Sequence, residues 1–371
     1  MAADVLAEVR AALIAAGDRG LLVAEENCPT DFLATLPAGT PVLSNRWDLH
    51  RAANARELRS TFSDFELPTD GTLELVAAPV AKERAVVRHL INRAGQALAP
   101  GGRLLLWGGK QTGIKSHGRD AASALGCAPE IGRAPEIGFA PEIGFAPEID
   151  RASEIRKLGR DYLALATRGA GVPQVLDDDR YTELRPLLNY DGRPLFTKPG
   201  LFGWDRIDVG SALLAARLPA LFARLGVPER VLDLGCGYGL LALAAHGAGA
   251  RHITATDNCA AALAACARNF AEHGIDGEVN PSDCAAEIAA RFELVLCNPP
   301  HHRGFAADQK LTARFFRAAA DHLGARGAAL FVTHRTVPTA SLAAAAFGHC
   351  ELVASAEHFH VYLLERPQGL R

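Results

Sequence analysis

The segment Val231-Leu232-Asp233-Leu234-Gly235-Cys236-Gly237-Tyr238-Gly239-Leu240 constrains the fold more than any other. Its apolar start reads as a buried strand, its glycines as a loop, and the Ala/Leu-rich stretch that follows as a helix. A strand that passes through glycines into a helix opens an α/β unit, with the loop at the carboxyl end of a parallel sheet. Glycine at 235, 237 and 239 lets the backbone approach a ligand closely. The spacing is wrong for a dinucleotide fingerprint, whose third glycine would fall at Leu240, and no Gly-Lys-Ser/Thr follows to make a phosphate loop. The pattern is Asp-x-Gly-x-Gly-x-Gly, and Asp233 can meet a cationic amino group. The plain alternative is a tight strand-to-helix turn.

Farther along, Phe292-Glu293-Leu294-Val295-Leu296-Cys297 reads as a buried parallel strand. It runs into Asn298-Pro299-Pro300-His301-His302. Proline fixes φ and has no N–H, so this exit can neither extend a ladder nor start a helix freely. It holds a side-chain amide and neighbouring carbonyls above the sheet, where open α/β sheets bind ligands. Such an acceptor pair suits an NH2 group; a loop that merely turns is the alternative.

The chain alternates strands and helices, which implies parallel sheets. A helix over 5–16 precedes strands at Leu21–Ala24 and Pro41–Ser44. A helix over Arg51–Leu58 and a strand over Leu73–Val80 follow, then a helix to Leu98 and a strand over Arg103–Trp107. The order recurs. Leu73-Glu74-Leu75-Val76 leads through a helix and Ala99-Pro100-Gly101-Gly102 to its next strand. Phe292-Glu293-Leu294-Val295 leads through a helix and Gly324-Ala325-Arg326-Gly327 to Ala329–Val332. The fold class is therefore α/β, with two Rossmann-like domains in tandem over residues 1–167 and 199–371, joined by a linker over 168–198. The first copy is degenerate. Ala78-Pro79-Val80 stands where the second has Asn298-Pro299-Pro300, and Ala24-Glu25-Glu26-Asn27-Cys28-Pro29 replaces the glycine loop.

Residues 128–157 are a hexapeptide repeat, with Ala-Pro-Glu-Ile recurring from Ala128, Ala134, Ala140 and Ala146 and decaying to Ala152-Ser153-Glu154-Ile155. Proline in each repeat removes ladder donors, and so short an array is no solenoid, so the segment reads as a surface insert without chemistry. A net charge of −3 excludes bulk polyanion binding and leaves local patches for any nucleic-acid contact. The eight cysteines form no Cys-x-x-Cys pair and no metal-type spacing, as expected of reduced thiols in a cytosolic protein. No signal-like start and no apolar run of membrane length is found.

Two further acids follow strands. Asp257, with Asn258 beside it, ends the strand Ile253–Thr256 and can take both hydroxyls of a ribose. Asp283 can accept from an adenine amino group, and either acid can instead be a helix N-cap. Pro199-Gly200-Leu201-Phe202-Gly203-Trp204 suits a lid over a cofactor or an interdomain turn.

Taken together, Pro199-Gly200-Leu201-Phe202 with Asp208-Val209-Gly210-Ser211, the stretch Val231 to Gly239, and Asn298-Pro299-Pro300 with His302 resemble the methyltransferase small-domain family that acts on guanine N2 of ribosomal RNA. The small-subunit branch, which carries a degenerate N-terminal copy, is the nearer likeness; the large-subunit branch comes second. The resemblance implies two class I methyltransferase domains and S-adenosylmethionine as cofactor, held by Phe202, Asp233, Gly235, Cys236, Gly237, Gly239, Asp257, Asn258 and Asp283. It implies catalysis by Asn298, Pro299, Pro300 and His301, the two acceptors orienting the amine and His301 stacking on the base. The family usually has an aromatic residue, often Phe, at the position of His301, so the stacking surface here is smaller. Ribosomal RNA within a ribosomal subunit is the implied partner, with Arg303, Lys310, Arg314 and Arg317 as contacts; the last three share a helical face. Neither a metal nor a membrane is implied, and a cytoplasmic monomer is expected. The alternatives are 23S RNA, another planar amine (protein glutamine or adenine N6), or an RNA-binding pseudoenzyme.

Overall fold

The computed structural model describes residues 4–127, 153–300, 302–303, 306–307 and 309–368. The chain forms two compact units. The first holds Met1–Leu43, Ala53–Ser60 and Phe65–Asp178; the second holds Ser44–Ala52, Thr61–Asp64 and Asp179–Arg371.

In chain order the first half supplies α1 (Val5–Ala16), β1 (Gly20–Ala24), α2 (Thr30–Leu33), β2 (Pro41–Ser44), α3 (Trp47–Asn54) and β3 (Arg59–Phe62). It continues with β4 (Leu73–Pro79), α4 (Arg84–Ala97), β5 (Leu98–Gly109), α5 (Ile114–Ala124), β6 (Ser153–Leu158) and β7 (Asp161–Thr167). The second half supplies β8 (Arg185–Tyr190), β9 (Arg193–Thr197), α6 (Val209–Ala215), α7 (Leu218–Leu225), β10 (Arg230–Leu234) and α8 (Leu240–Gly247). Then come β11 (His252–Asp257), α9 (Ala260–His273), β12 (Glu278–Pro281), β13 (Phe292–Cys297), β14 (His302–Arg303) and β15 (Ala306–Ala307). The chain closes with α10 (Gln309–His322), β16 (Leu323–His334), α11 (Thr339–Ala343), β17 (Phe347–Ala356) and β18 (Phe359–Pro367).

The duplication read from the sequence holds at the level of strand order. One seven-stranded sheet runs β3-β2-β1-β4-β5-β7-β6 and the other β12-β11-β10-β13-β16-β18-β17, the same order element for element. It also holds at the level of irregularity. β4 meets β5 with a register shift between Leu73 and Leu75, and β13 meets β16 with one between Phe292 and Leu294. A glycine makes each shift possible. A Cβ at Gly102 would lie 2.9 Å from the Leu73 carbonyl oxygen, and one at Gly327 3.0 Å from that of Phe292.

The central strands of the second sheet are buried on both faces, which is why they read as continuous apolar runs. Val231, Leu294, Leu296 and Leu330 face one core cluster, while Leu232, Leu234, Val295 and Phe331 face the other. This is the two-residue period of a strand. β10 pairs in parallel with β11 and β13, and β13 with β16; β18 runs antiparallel to β16. The loops after β10, β11, β13 and β16 therefore leave from one edge of the sheet.

Three expectations change. The helix expected over Arg51–Leu58 is α3, earlier by one turn. It stops because Glu57 takes φ +59° and the Ala53 carbonyl turns to the N–H groups of Arg56 and Leu58. The supposed linker over 168–198 contains the hairpin β8–β9, closed at Asp191-Gly192 with φ of 50° and 80°. Positive φ at both positions matches the twist of a hairpin, and Asp-Gly is its usual sequence. The insert expected to run to residue 157 ends sooner, since Ser153–Leu158 is β6, paired antiparallel with β7. Residues 128–152 lie outside the described residues.

Candidate active site

The loop between β10 and α8 begins the site. Gly235, Gly237 and Gly239 have φ of 78°, 53° and 87°, where side chains are strained. Their surroundings differ. A Cβ at Gly239 would lie 2.8 Å from Cys266 Sγ and one at Gly235 3.2 Å from the Phe315 ring, so these two are small for packing. At Gly237 nothing lies within 4 Å. This glycine fronts open space and admits a ligand against the backbone. The N–H groups of Gly235 and Cys236 both donate to the Thr256 carbonyl at 2.9 Å, and that of Gly237 to Asp257 Oδ2 at 2.9 Å. The loop thus offers a ligand closeness rather than these donors.

The loop is held from below by Asn269 on α9, which is fully buried. Its Oδ1 accepts the Phe196 N–H at 2.7 Å, and its Nδ2 donates to the carbonyls of Phe196 and Tyr238, each at 2.8 Å. One side chain so ties β9 to the glycine loop. Cys236 turns its thiol inward; its hydrogen bond with Cys266, then burial, raises the thiol well above the usual range.

Asp233 does not stand at the surface of the loop, as a partner for an ammonium group would. It is fully buried within β10, where Oδ2 accepts the Ala242 N–H of α8 at 2.9 Å and Oδ1 has no hydrogen-bond partner. Burial pushes its carboxyl up to about 7; the Ala242 bond opposes this and the Asp257 charge adds to it.

Asp257 and Asn258 leave β11 on the same edge. Asp257 accepts from Gly237 through Oδ2 and from the Cys259 N–H through Oδ1 at 2.8 Å. Asn258 is engaged within the second unit: its Oδ1 accepts the Asp48 N–H at 2.9 Å and its carbonyl that of Trp47 at 2.8 Å. Asp283 follows β12 and is paired with Arg314 Nη2 at 2.6 Å. The two residues that next follow it, Cys284 and Ala285, hold φ of 52° and 58°, an uncommon backbone state that marks a constrained turn. Phe202 is 76% exposed in the turn after β9, while Leu201 beside it is buried.

The decisive geometry is at Asn298. Its Nδ2 donates to Asp208 Oδ2 at 2.9 Å and to Ser211 Oγ at 2.8 Å. Asp208 also caps α6, accepting the Ser211 N–H at 2.7 Å. An ionised carboxylate can only accept, so the nitrogen end of the amide must face Asp208 and the oxygen end turns away from it. Gly210 between them allows this closeness, since a Cβ there would lie 2.8 Å from the Phe359 ring and 3.1 Å from Asp208 Oδ2. Burial, then the charge of Asp208, pushes the Tyr238 phenol up to about 12, which keeps it a hydroxyl. Pro299 is buried and Pro300 exposed.

The structure therefore gathers Gly237, Asp257 and Asn298 on loops along one sheet edge and buries Asp233. Arg314, expected on RNA, and Asp283, expected on the cofactor, are ion-paired with each other. Arg317 is engaged by Asp321 at 3.4 Å and the Gln368 carbonyl at 3.3 Å, and Lys310 is exposed. His301 and the side chain of Arg303 lie outside the described residues. Asp208 and Ser211 carried the resemblance but not the expected chemistry, and Asn269 had no sequence signal beyond a polar residue on an apolar helix. Among the described residues, His349, Glu351 and Glu365 bring possible metal-ligand atoms within 4.8 Å of one another, with Glu351 also gripped by Arg224 at 2.7 Å.

Residues 192–363 match the family model of the methyltransferase small domain. The matched stretch lies wholly within the second unit. Over 176 residues the chain is 35% identical to ribosomal RNA small subunit methyltransferase C of Salmonella choleraesuis (strain SC-B67), a match covering 47% of this chain and 50% of that protein. The protein of the same name from Salmonella newport (strain SL254) matches to the same extent. The chain spans about half the length of the curated relatives it matches. In fold, the chain resembles a T. thermophilus 16S rRNA N2 G1207 methyltransferase solved in complex with AdoMet and guanosine. The TM-score is 0.72 at 22% identity, over 94% of this chain and 88% of that one. The class I methyltransferase fold in tandem thus extends along nearly the whole chain. Among the described residues no helix is long and apolar enough to cross a membrane.

Proposed function

We propose that this chain transfers a methyl group from S-adenosylmethionine to the exocyclic N2 amine of a guanine in ribosomal RNA, with 16S RNA of the small subunit as substrate. The observation that carries this reading is the fixed orientation of the Asn298 amide. With Nδ2 committed to Asp208 and Ser211, what the side chain can offer a substrate is an acceptor, Oδ1. The names of the relatives, and the neighbour solved with AdoMet and guanosine, support the same substrate.

The residues present fit the cofactor. The open face of Gly237 admits it, and Asp257 retains lone pairs for ribose hydroxyls. Phe202, beside the site in sequence pattern, is exposed and able to cover it. The cofactor supplies a methyl group already activated on a sulfonium. The protein's work is then positioning. Guanine N2 is a poor nucleophile because its lone pair is delocalised into the ring. Asn298 Oδ1 and the Pro299 carbonyl accept hydrogen bonds from its two N–H groups, turn the lone pair toward the methyl and stabilise the positive charge that grows on nitrogen until one of these protons leaves to solvent. No metal takes part in this account, and the protein acts as a cytoplasmic monomer on RNA within a ribosomal subunit.

The test is transfer from labelled S-adenosylmethionine to separated 30S and 50S particles, followed by nucleoside analysis. N2-methylguanosine from the 30S fraction is expected. Label in 50S RNA, in protein glutamine or in N6-methyladenosine contradicts the assignment.

A further inference from the structure

We propose that the end of β16 together with the β17–β18 turn is a second nucleotide subsite, which grips the RNA strand beside the target base. Its position rests on the reading of Asn298 as the methyl-transfer site. β16 is the parallel neighbour of β13, with Phe331 opposite Cys297, so His334 leaves the sheet at the level of Pro300. His334 pairs across the antiparallel ladder with Phe359, and the Arg335 N–H donates to the His358 carbonyl at 2.7 Å, which fastens the two loops. The rings gather. His334 lies 5.8 Å from His358 and 5.8 Å from Phe359, edge-on to the latter. Phe359 in turn packs on Gly210, between the residues that hold Asn298. Thr336 Oγ1 holds His334 Nδ1 at 2.8 Å and Tyr362 holds His360 at 3.2 Å, so these rings are fixed.

Arg335 and His358 are exposed, and His334, Phe359 and His360 are partly so. Flat faces, ring N–H groups and one guanidinium suit a stacked base and its phosphate. An acidic peptide would use the cation and leave the rings idle. Glu357, exposed at the tip with φ 51°, is the one carboxylate in the turn.

The experiment uses the full chain and a fluorescent single-stranded RNA octamer containing guanine, with binding read by anisotropy at fixed salt. The double variant Arg335→Ala, His358→Ala should bind roughly tenfold more weakly. It should raise KM for methyl transfer to that RNA by a similar factor, with kcat, cofactor affinity and transfer to free guanosine unchanged. Arg335→Gln alone, an exposed change, should show part of the loss and serves if the double variant unfolds. Wild-type affinity in both variants overturns the subsite, as does equal competition by polyglutamate. If the wild-type protein methylates neither RNA nor guanosine, the reading of Asn298 fails while anisotropy still decides the subsite.

Discussion

Both oxygens of Asp257 already accept a backbone N–H, yet a carboxylate has about four lone-pair positions, so it can shape the glycine loop and hold ribose hydroxyls together. Asp257→Ala should weaken S-adenosylmethionine binding by roughly 1–3 kcal/mol. Calorimetry giving wild-type affinity in a folded variant would remove Asp257 from the site. Asp233 makes a different prediction. Its folded value of about 7 lies above the ordinary 3.8. The folded state therefore holds the proton more tightly, and this contribution to stability is full below pH 4 and is lost as pH rises through 7. In urea unfolding, wild type should lose about 2–3 kcal/mol relative to Asp233→Asn between pH 5 and pH 8. Parallel pH curves would contradict it. The glycines, Asp257 and Asn298 were legible because each ends a recognisable strand. The inward turn of Asp233 and the Asp283–Arg314 pair were not, because each depends on what another element packs against it.

Among elements, the hairpin β8–β9 was written in Asp191-Gly192 but masked by the glycines, prolines and acids around it. Its role comes from Asn269, a single buried amide that joins it to the glycine loop. Asn269→Ala strands a Phe196 N–H and two carbonyls in the interior. It should cost about 2–4 kcal/mol in urea unfolding, each buried group being left without its partner. A loss under about 0.5 kcal/mol would mean the bonds are replaced by others. Strands of the central sheet were legible as apolar runs because both faces are covered. β3 and β6 were not: their burial alternates between partial and exposed, as at a sheet edge.

At the scale of the molecule, one strand order serves two units, and only one unit keeps an open loop. In the first, Glu25 Oε1 accepts the Asn27 N–H at 2.8 Å and Asn27 Nδ2 donates to the Val80 carbonyl at 3.2 Å, across the positions where the second has Gly237 and Pro300. Loss of glycine was visible in the sequence; that the loop closes on itself was not. On the proposed function, the second unit transfers a methyl group to an amine held by Asn298. The direct measurement is turnover of Asn298→Ala on 30S particles beside its S-adenosylmethionine affinity. The Asn298 contact strengthens as charge appears on nitrogen, so its loss should lower turnover by about a hundred- to a thousandfold, or 3–4 kcal/mol, with cofactor affinity little changed. Turnover within a few-fold of wild type would make Asn298 a turn residue and contradict the account.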